Sequence, residues 1–223
     1  MPSPDQDKPN MRPDIERRFI ACPLFREVRA GPDGEKTSLI GYASVFYDGT
    51  PATEYRIFDD LIERVAPEAF DRMLADANWD IAGLFNHDAN MLLARRSAGT
   101  LRLSKDSRGL QYILDLGPTS ISRDVAAFVE RREIVGSSFS FTADSVRGQR
   151  WEENGETSIR TLTDLDVFDV GPVTFPAYEG TTATTAAAAS RRAREQCDAF
   201  RRQVAKERDA QRVARFLETH KQE

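Results

Sequence analysis

Apolar residues recur along this chain at two periods, which separate strands from helices. Residues 134–141 (IVGSSFSF) are the sharpest case. Successive side chains of an extended chain point to opposite faces, so Phe139 and Phe141 share one face while Ser138, Ser140 and Thr142 share the other. That pattern predicts one face in a core and the other on a cleft. Alternation also marks 99–104 and 110–116, and Asp106-Ser107-Arg108-Gly109 between them reads as the turn of a hairpin. Residues 38–46 (SLIGYASVF) precede an Asp48-Gly49 turn signal and predict a core strand. The apolar run 81–87 (IAGLFNH) ends in polar residues, which suits a strand delivering His87 to its own edge. Across 160–170, Leu165, Val167 and Asp169 share a face, so an acid closes an apolar row.

The helical period is rarer. Pro67 and Glu68 mark a helix entry with Phe70, Met73 and Leu74 as its buried stripe. Val125, Phe128 and Val129 recur at helical spacing within 122–132, between capping hydroxyls and terminal arginines. Residues 57–65 (IFDDLIERV) fit strand or helix, and the polar 147–158, with Asn154-Gly155, predicts a hairpin tip or exposed loop. Together these elements predict a β-rich α+β domain over 15–180. Residues 1–14, with four prolines among charges, offer too little apolar surface to offset the entropy of ordering and predict a flexible arm. Residues 181–190 are a Thr/Ala linker, and 191–223 favour helix without a single apolar stripe, since Phe200 and Val204 point away from Val213, Phe216 and Leu217. A solvated, helical or disordered tail follows from that.

Charge sharpens the division. Of the 223 residues, 191–223 hold 10 basic and 6 acidic side chains, a net +4, which leaves −9 of the total −5 on residues 1–190. The tail therefore suits an acidic partner, while its signal for specific nucleic-acid binding is weak. The two cysteines, Cys22 and Cys197, lie far apart and predict reduced thiols rather than a disulfide framework or a zinc site. No apolar run approaches the roughly 18 residues needed to span a bilayer, and the polar, proline-rich start is unlike a signal peptide, so neither membrane insertion nor secretion is expected.

Ser138 needs a base to act as a nucleophile. The chain offers two histidines, His87 and His220, and only His87 lies in the globular part. Asp166 and Asp169 compete as the acid that orients it. His87-Asp88 gives two adjacent donors and no third ligand at recognisable spacing, so no metal or other cofactor is expected.

Several motifs recur in one order: 63–70 (ERVAPEAF), 84–88 (LFNHD), 99–103 (GTLRL), Gly109-Leu110, 136–141 (GSSFSF) and 169–178 (DVGPVTFPAY). Over residues 39–182 the chain resembles the prohead proteases of tailed phages of the HK97 type. The resemblance implies a serine endopeptidase acting in the host cytoplasm inside an assembling procapsid, on scaffold or on the scaffold-like part of the major capsid protein. It implies an assemblin-like closed β-barrel surrounded by a few helices, and a homodimer by the same analogy. It places His87, in Asn86-His87-Asp88, as general base, Ser138 as nucleophile and Asp169 as the residue orienting the imidazole. Assemblin-type enzymes use a second histidine instead, which here falls on His220 of the tail, so Asp169 is preferred. Two positions depart from the family pattern: Gly171 replaces a serine, and Glu68 a glycine. Oxyanion donors are expected from backbone N–H groups near Ser138 or in 92–97. The alternative reading is a non-catalytic procapsid core or scaffold protein, and self-cleavage within 181–192 would combine the two.

Overall fold

The computed structural model describes residues 15–20, 24–31, 34–174 and 185–219. The arm at 1–14, Cys22, the linker residues 181–184 and His220 lie outside the described residues. Thirteen strands form three sheets among those described. The first sheet orders β1 (Glu16–Ile20), β10 (Gly136–Ala143), β13 (Leu165–Val173), β6 (Ala82–Leu84) and β7 (Leu92–Arg95). The second orders β11 (Gln149–Asn154), β12 (Thr157–Leu162), β5 (Leu61–Val65) and β4 (Tyr55–Phe58). The third orders β2 (Phe25–Gly31), β3 (Gly34–Val45), β9 (Gly109–Asp115) and β8 (Leu101–Lys105). Pairing is antiparallel except at β12–β5 and β13–β6. No ladder among the described residues closes these sheets into one barrel.

One core joins the sheets. Phe46, Phe70, Phe139 and Phe141 form a chain of aromatic contacts at 5.0–6.1 Å between centroids, edge-on or offset as ring quadrupoles prefer. Leu39, Leu114, Val167 and Val170 pack around them without exposure. The hairpin predicted around 106–109 is β8–β9, and Gly109 is required there because a Cβ would lie 2.0 Å from the Ser44 carbonyl oxygen. Phe70 and Met73 are buried as expected, although the helix they enter, α1 (Asp71–Ala75), is a single turn. Helix α2 (Ser120–Glu130) starts where Thr119 accepts a hydrogen bond from the Ser122 amide.

One ambiguity is resolved and three expectations change. The ambiguous 57–65 is a hairpin, β4–β5, and the polar 147–158 is mostly strand, because its residues gain ladder partners that local polarity does not reveal. Both faces of β10 are buried: Ser138 and Ser140 are 4% and 1% exposed, because the His87 ring and the Asp169 carboxylate pack on the serine face while the aromatic core covers the other. The tail is a long helix, α3 (Thr185–Thr219), that begins inside the segment predicted as linker, and its stretch 193–201 docks on the domain. Ala193 and Cys197 are fully buried with Leu61, and Trp151 stacks on Phe200 at 5.6 Å. Arg194 and Arg201 both bind the Asp60 carboxylate, which holds it well below its ordinary acidity range. A docking face made of small side chains and arginines has no apolar stripe to detect. Beyond Val204 the described side chains, 205–213 and Arg215, are exposed.

Candidate active site

Three adjacent strands bring the predicted residues together. Antiparallel pairing of β10 with β13 sets Ser138 opposite Gly171 and Ser140 opposite Asp169, so Ser138, Ser140 and Asp169 share a face. Parallel pairing of β13 with β6 sets Asp169 beside Ala82 and Val170 beside Gly83. The chain leaving β6 therefore turns over the end of β13, which is where His87 sits.

That turn is strained and tightly held. Asn86 and His87 both have φ of 57°, the left-handed region that non-glycine residues enter at a cost of about 1–2 kcal/mol each. Asn86 opposes the strain: its amide donates to the Pro172 carbonyl (3.0 Å) and its Nδ2 to Thr174 Oγ1 (3.0 Å), while Oδ1 accepts from the Thr174 amide (2.8 Å). Asp88 accepts from the Asn90 amide and serves the turn alone. Gly171 lets the strands approach, because a Cβ there would lie 2.0 Å from the Leu84 carbonyl oxygen. The other departure, Glu68, is half exposed and 3.8 Å from Arg150.

His87 bridges the other two residues, with Nδ1 2.5 Å from Asp169 Oδ1 and Nε2 2.6 Å from Ser138 Oγ. Asp169 is 8% exposed, and Ser140 donates its hydroxyl to the second carboxylate oxygen, Oδ2. Asp166, the rival acid, stands opposite Thr142 further along the same face of β13 and is bound by Arg72; a bulge between the Ser140–Asp169 and Phe141–Val167 pairs turns Val167 to the core, so it does not share the face of Asp169 as strict alternation predicts. The neighbouring Ser137 is spoken for as well, since its hydroxyl meets the Tyr112 hydroxyl at 2.6 Å inside the core. Ser138 Oγ also lies 2.9 Å from the Arg18 carbonyl of β1. A hydroxyl has one proton, so two hydrogen-bond patterns fit. With neutral His87, Ser138 donates to Nε2 and Nδ1–H to Asp169; with protonated His87, Nε2–H donates to Ser138, which donates to Arg18.

The strand β1 that supplies this carbonyl is pinned by a buried ionic cluster. Arg18 binds Glu63 at 2.5 Å and Glu16 at 2.8 Å, while Arg160 binds Glu16 at 2.7 Å and Glu63 at 2.9 Å, and Gln149 accepts from Arg160 Nε at 2.6 Å. Two cations and two anions cancel. Burial alone would raise the Glu16 carboxyl, but Arg18 and Arg160 outweigh it and hold it down at about 2. Sequence reasoning missed this cluster, the Arg18 carbonyl and the part played by Ser140. Only Ser140 had left a signal, through its place on the face of Ser138.

Among solved structures the chain is similar to that titled "Structure of the bacteriophage T4 capsid assembly protease, gp21", with 9% sequence identity and a TM-score of 0.41 over 71% of this chain and 98% of that one. Comparison with curated proteins finds no match. Residues 26–196, well over half of the chain and including β6, β10 and β13, match the family described as Caudovirus prohead serine protease, and the chain belongs to that family.

Proposed function

We propose that this chain is the maturation protease of a procapsid, a serine endopeptidase in which Ser138 attacks the scissile carbonyl. His87 takes the Ser138 proton and returns it to the leaving amine, and Asp169 holds the imidazole by Nδ1 and stabilises its charge. The observation that carries this reading is the bridge: one imidazole in contact with a serine hydroxyl at 2.6 Å and a carboxylate at 2.5 Å. Membership of the prohead serine protease family supports the reaction class and a capsid substrate. The substrate is then the scaffold or the scaffold-like region of the major capsid protein, cut inside the assembling procapsid in the bacterial host, by a homodimer as in assemblin. An assemblin-like barrel, as the larger arrangement of the three sheets around their common core, is part of the same proposal. No helix among the described residues is long and apolar enough to cross a membrane.

The test is to express the chain and its Ser138→Ala variant beside the capsid protein encoded with it, and to read intact masses over time. Cleavage by the unaltered chain alone is expected, and the masses locate the sites, including any within 181–192 of the protease itself. Cleavage by both would remove Ser138 from the mechanism. An unprocessed capsid protein in assembled particles with either chain would favour a scaffold role.

A further inference from the structure

We propose that Ser140 is a positioning residue of this site, acting through Asp169; the inference rests on the Ser138–His87–Asp169 reading above. Its hydroxyl donates to Asp169 Oδ2 while His87 Nδ1 engages Oδ1, so each carboxylate oxygen has its own partner. The register makes this contact obligatory, because Ser140 and Asp169 are opposed across β10 and β13 on one face. A buried carboxylate must have its lone pairs engaged, and Ser140, 1% exposed, is the donor that engages this one beside the imidazole. Of the other charged groups on neighbouring elements, Arg18 is committed to Glu16 and Glu63, Asp166 to Arg72, Arg95 of β7 to Asp80, and Asp88 to its own turn, while Arg17 of β1 stands opposite Ser140 in the register with its Nε making no hydrogen bond. No cation pairs with Asp169 among the described residues. Ser140 thus fixes the carboxylate plane, and by withdrawing charge from Oδ2 it limits how strongly Asp169 stabilises protonated His87.

Two consequences follow from removing the hydroxyl. The carboxylate plane is no longer fixed, so the imidazole is aimed less well at Ser138 and the rate falls by about tenfold, while Oδ2, freed of its donor, leaves the charge concentrated on the Oδ1 contact with His87, which favours imidazolium. The base is then lost to protonation at higher pH. The acid limb of the rate profile therefore moves upward, a change that loosened packing would not produce.

A fluorophosphonate probe reads this without a known cleavage site: Ser138 Oγ forms a bond to phosphorus, fluoride leaves, and His87 receives the hydroxyl proton. Labelling rates would be measured against pH for the full chain co-assembled with its capsid protein, and for Ser140→Ala, Ser140→Thr, Asp169→Asn and Ser140→Ala/Asp169→Asn. Expected are labelling about tenfold slower in Ser140→Ala with its acid limb displaced to higher pH, recovery of both in Ser140→Thr, and no further loss from Ser140→Ala once Asp169 is Asn. An unchanged rate and pH profile in Ser140→Ala, with Ser138→Ala unlabelled, would overturn the role of Ser140 alone. Equal labelling of Ser138→Ala would instead overturn the reading of the site. If Ser140→Ala melts markedly lower than the unaltered chain, Ser140→Cys carries the same comparison, and additive losses with Asp169→Asn would likewise exclude action through the carboxylate.

Discussion

Replacing Arg160 by Met removes one charge from the buried quartet while keeping most of the side-chain volume. Arg160 is fully buried and bonds to both carboxylates of the cluster and to Gln149. Its loss leaves Glu16 and Glu63 sharing Arg18, a net charge of −1 in a dry site. Breaking a buried ion pair from one side costs about 3–5 kcal/mol, chiefly because the other charge is stranded. For a chain of this size each kcal/mol lowers Tm by about 2–4 °C, so a fall of about 10 °C is expected. The pH dependence separates charge from packing. In the unaltered chain Glu16 is held at about 2 against an ordinary 4.5, so its contribution is present above 4.5 and is lost as pH falls toward 2. In Arg160→Met one carboxyl titrates above its unfolded value instead, so stability is retained at low pH and lost as pH rises. The deficit should therefore be larger at pH 8 than at pH 5 in urea unfolding with matched m-values. Arg160→Met/Glu63→Met restores one anion to one cation and should recover most of the loss. A deficit equal at both pH values, or a double variant no more stable than the single, would refute the charge argument.

Gly171→Ala places a Cβ 2.0 Å from the Leu84 carbonyl oxygen, so β6 must part from β13; melting should fall by about 5 °C or more and labelling of Ser138 should fall with it. Asn86→Ala removes two side-chain hydrogen bonds to Thr174 that hold the left-handed turn, and should lower kcat about ten- to a hundredfold with a loss of only about 1–2 kcal/mol in urea unfolding. Asp60→Asn frees Arg194 and Arg201, and because that carboxylate is about a third exposed it should change overall stability by less than about 1 kcal/mol. Hydrogen exchange should nonetheless quicken across 193–201, and unchanged exchange there would mean that Ala193, Cys197 and Phe200 alone hold the helix.

Much of this protein was legible in its sequence because the relevant signals are local. Alternation along 136–141 predicted the strand and the faces of Phe139 and Ser138, the turn at 106–109 predicted the β8–β9 hairpin, and 81–87 predicted a strand ending near His87. The pairing of His87 with Ser138 was reachable by counting, since the globular part holds one histidine. What sequence could not decide is who faces whom across strands far apart in the chain. Strict alternation sets Asp166 and Asp169, three residues apart, on opposite faces, whereas the bulge in the β10–β13 pairing turns both to one face, where Asp166 meets Arg72 and Asp169 meets His87 and Ser140. Nothing in the sequence marks Arg18, Glu63 and Arg160 as partners, yet the meeting of β1, β5 and β12 buries them together, where mutual neutralisation rather than hydropathy permits burial. The left-handed turn at Asn86 and His87 likewise depends on contacts with Pro172 and Thr174, more than 80 positions away. Periodicity is a property of the chain, whereas partnership is a property of the fold.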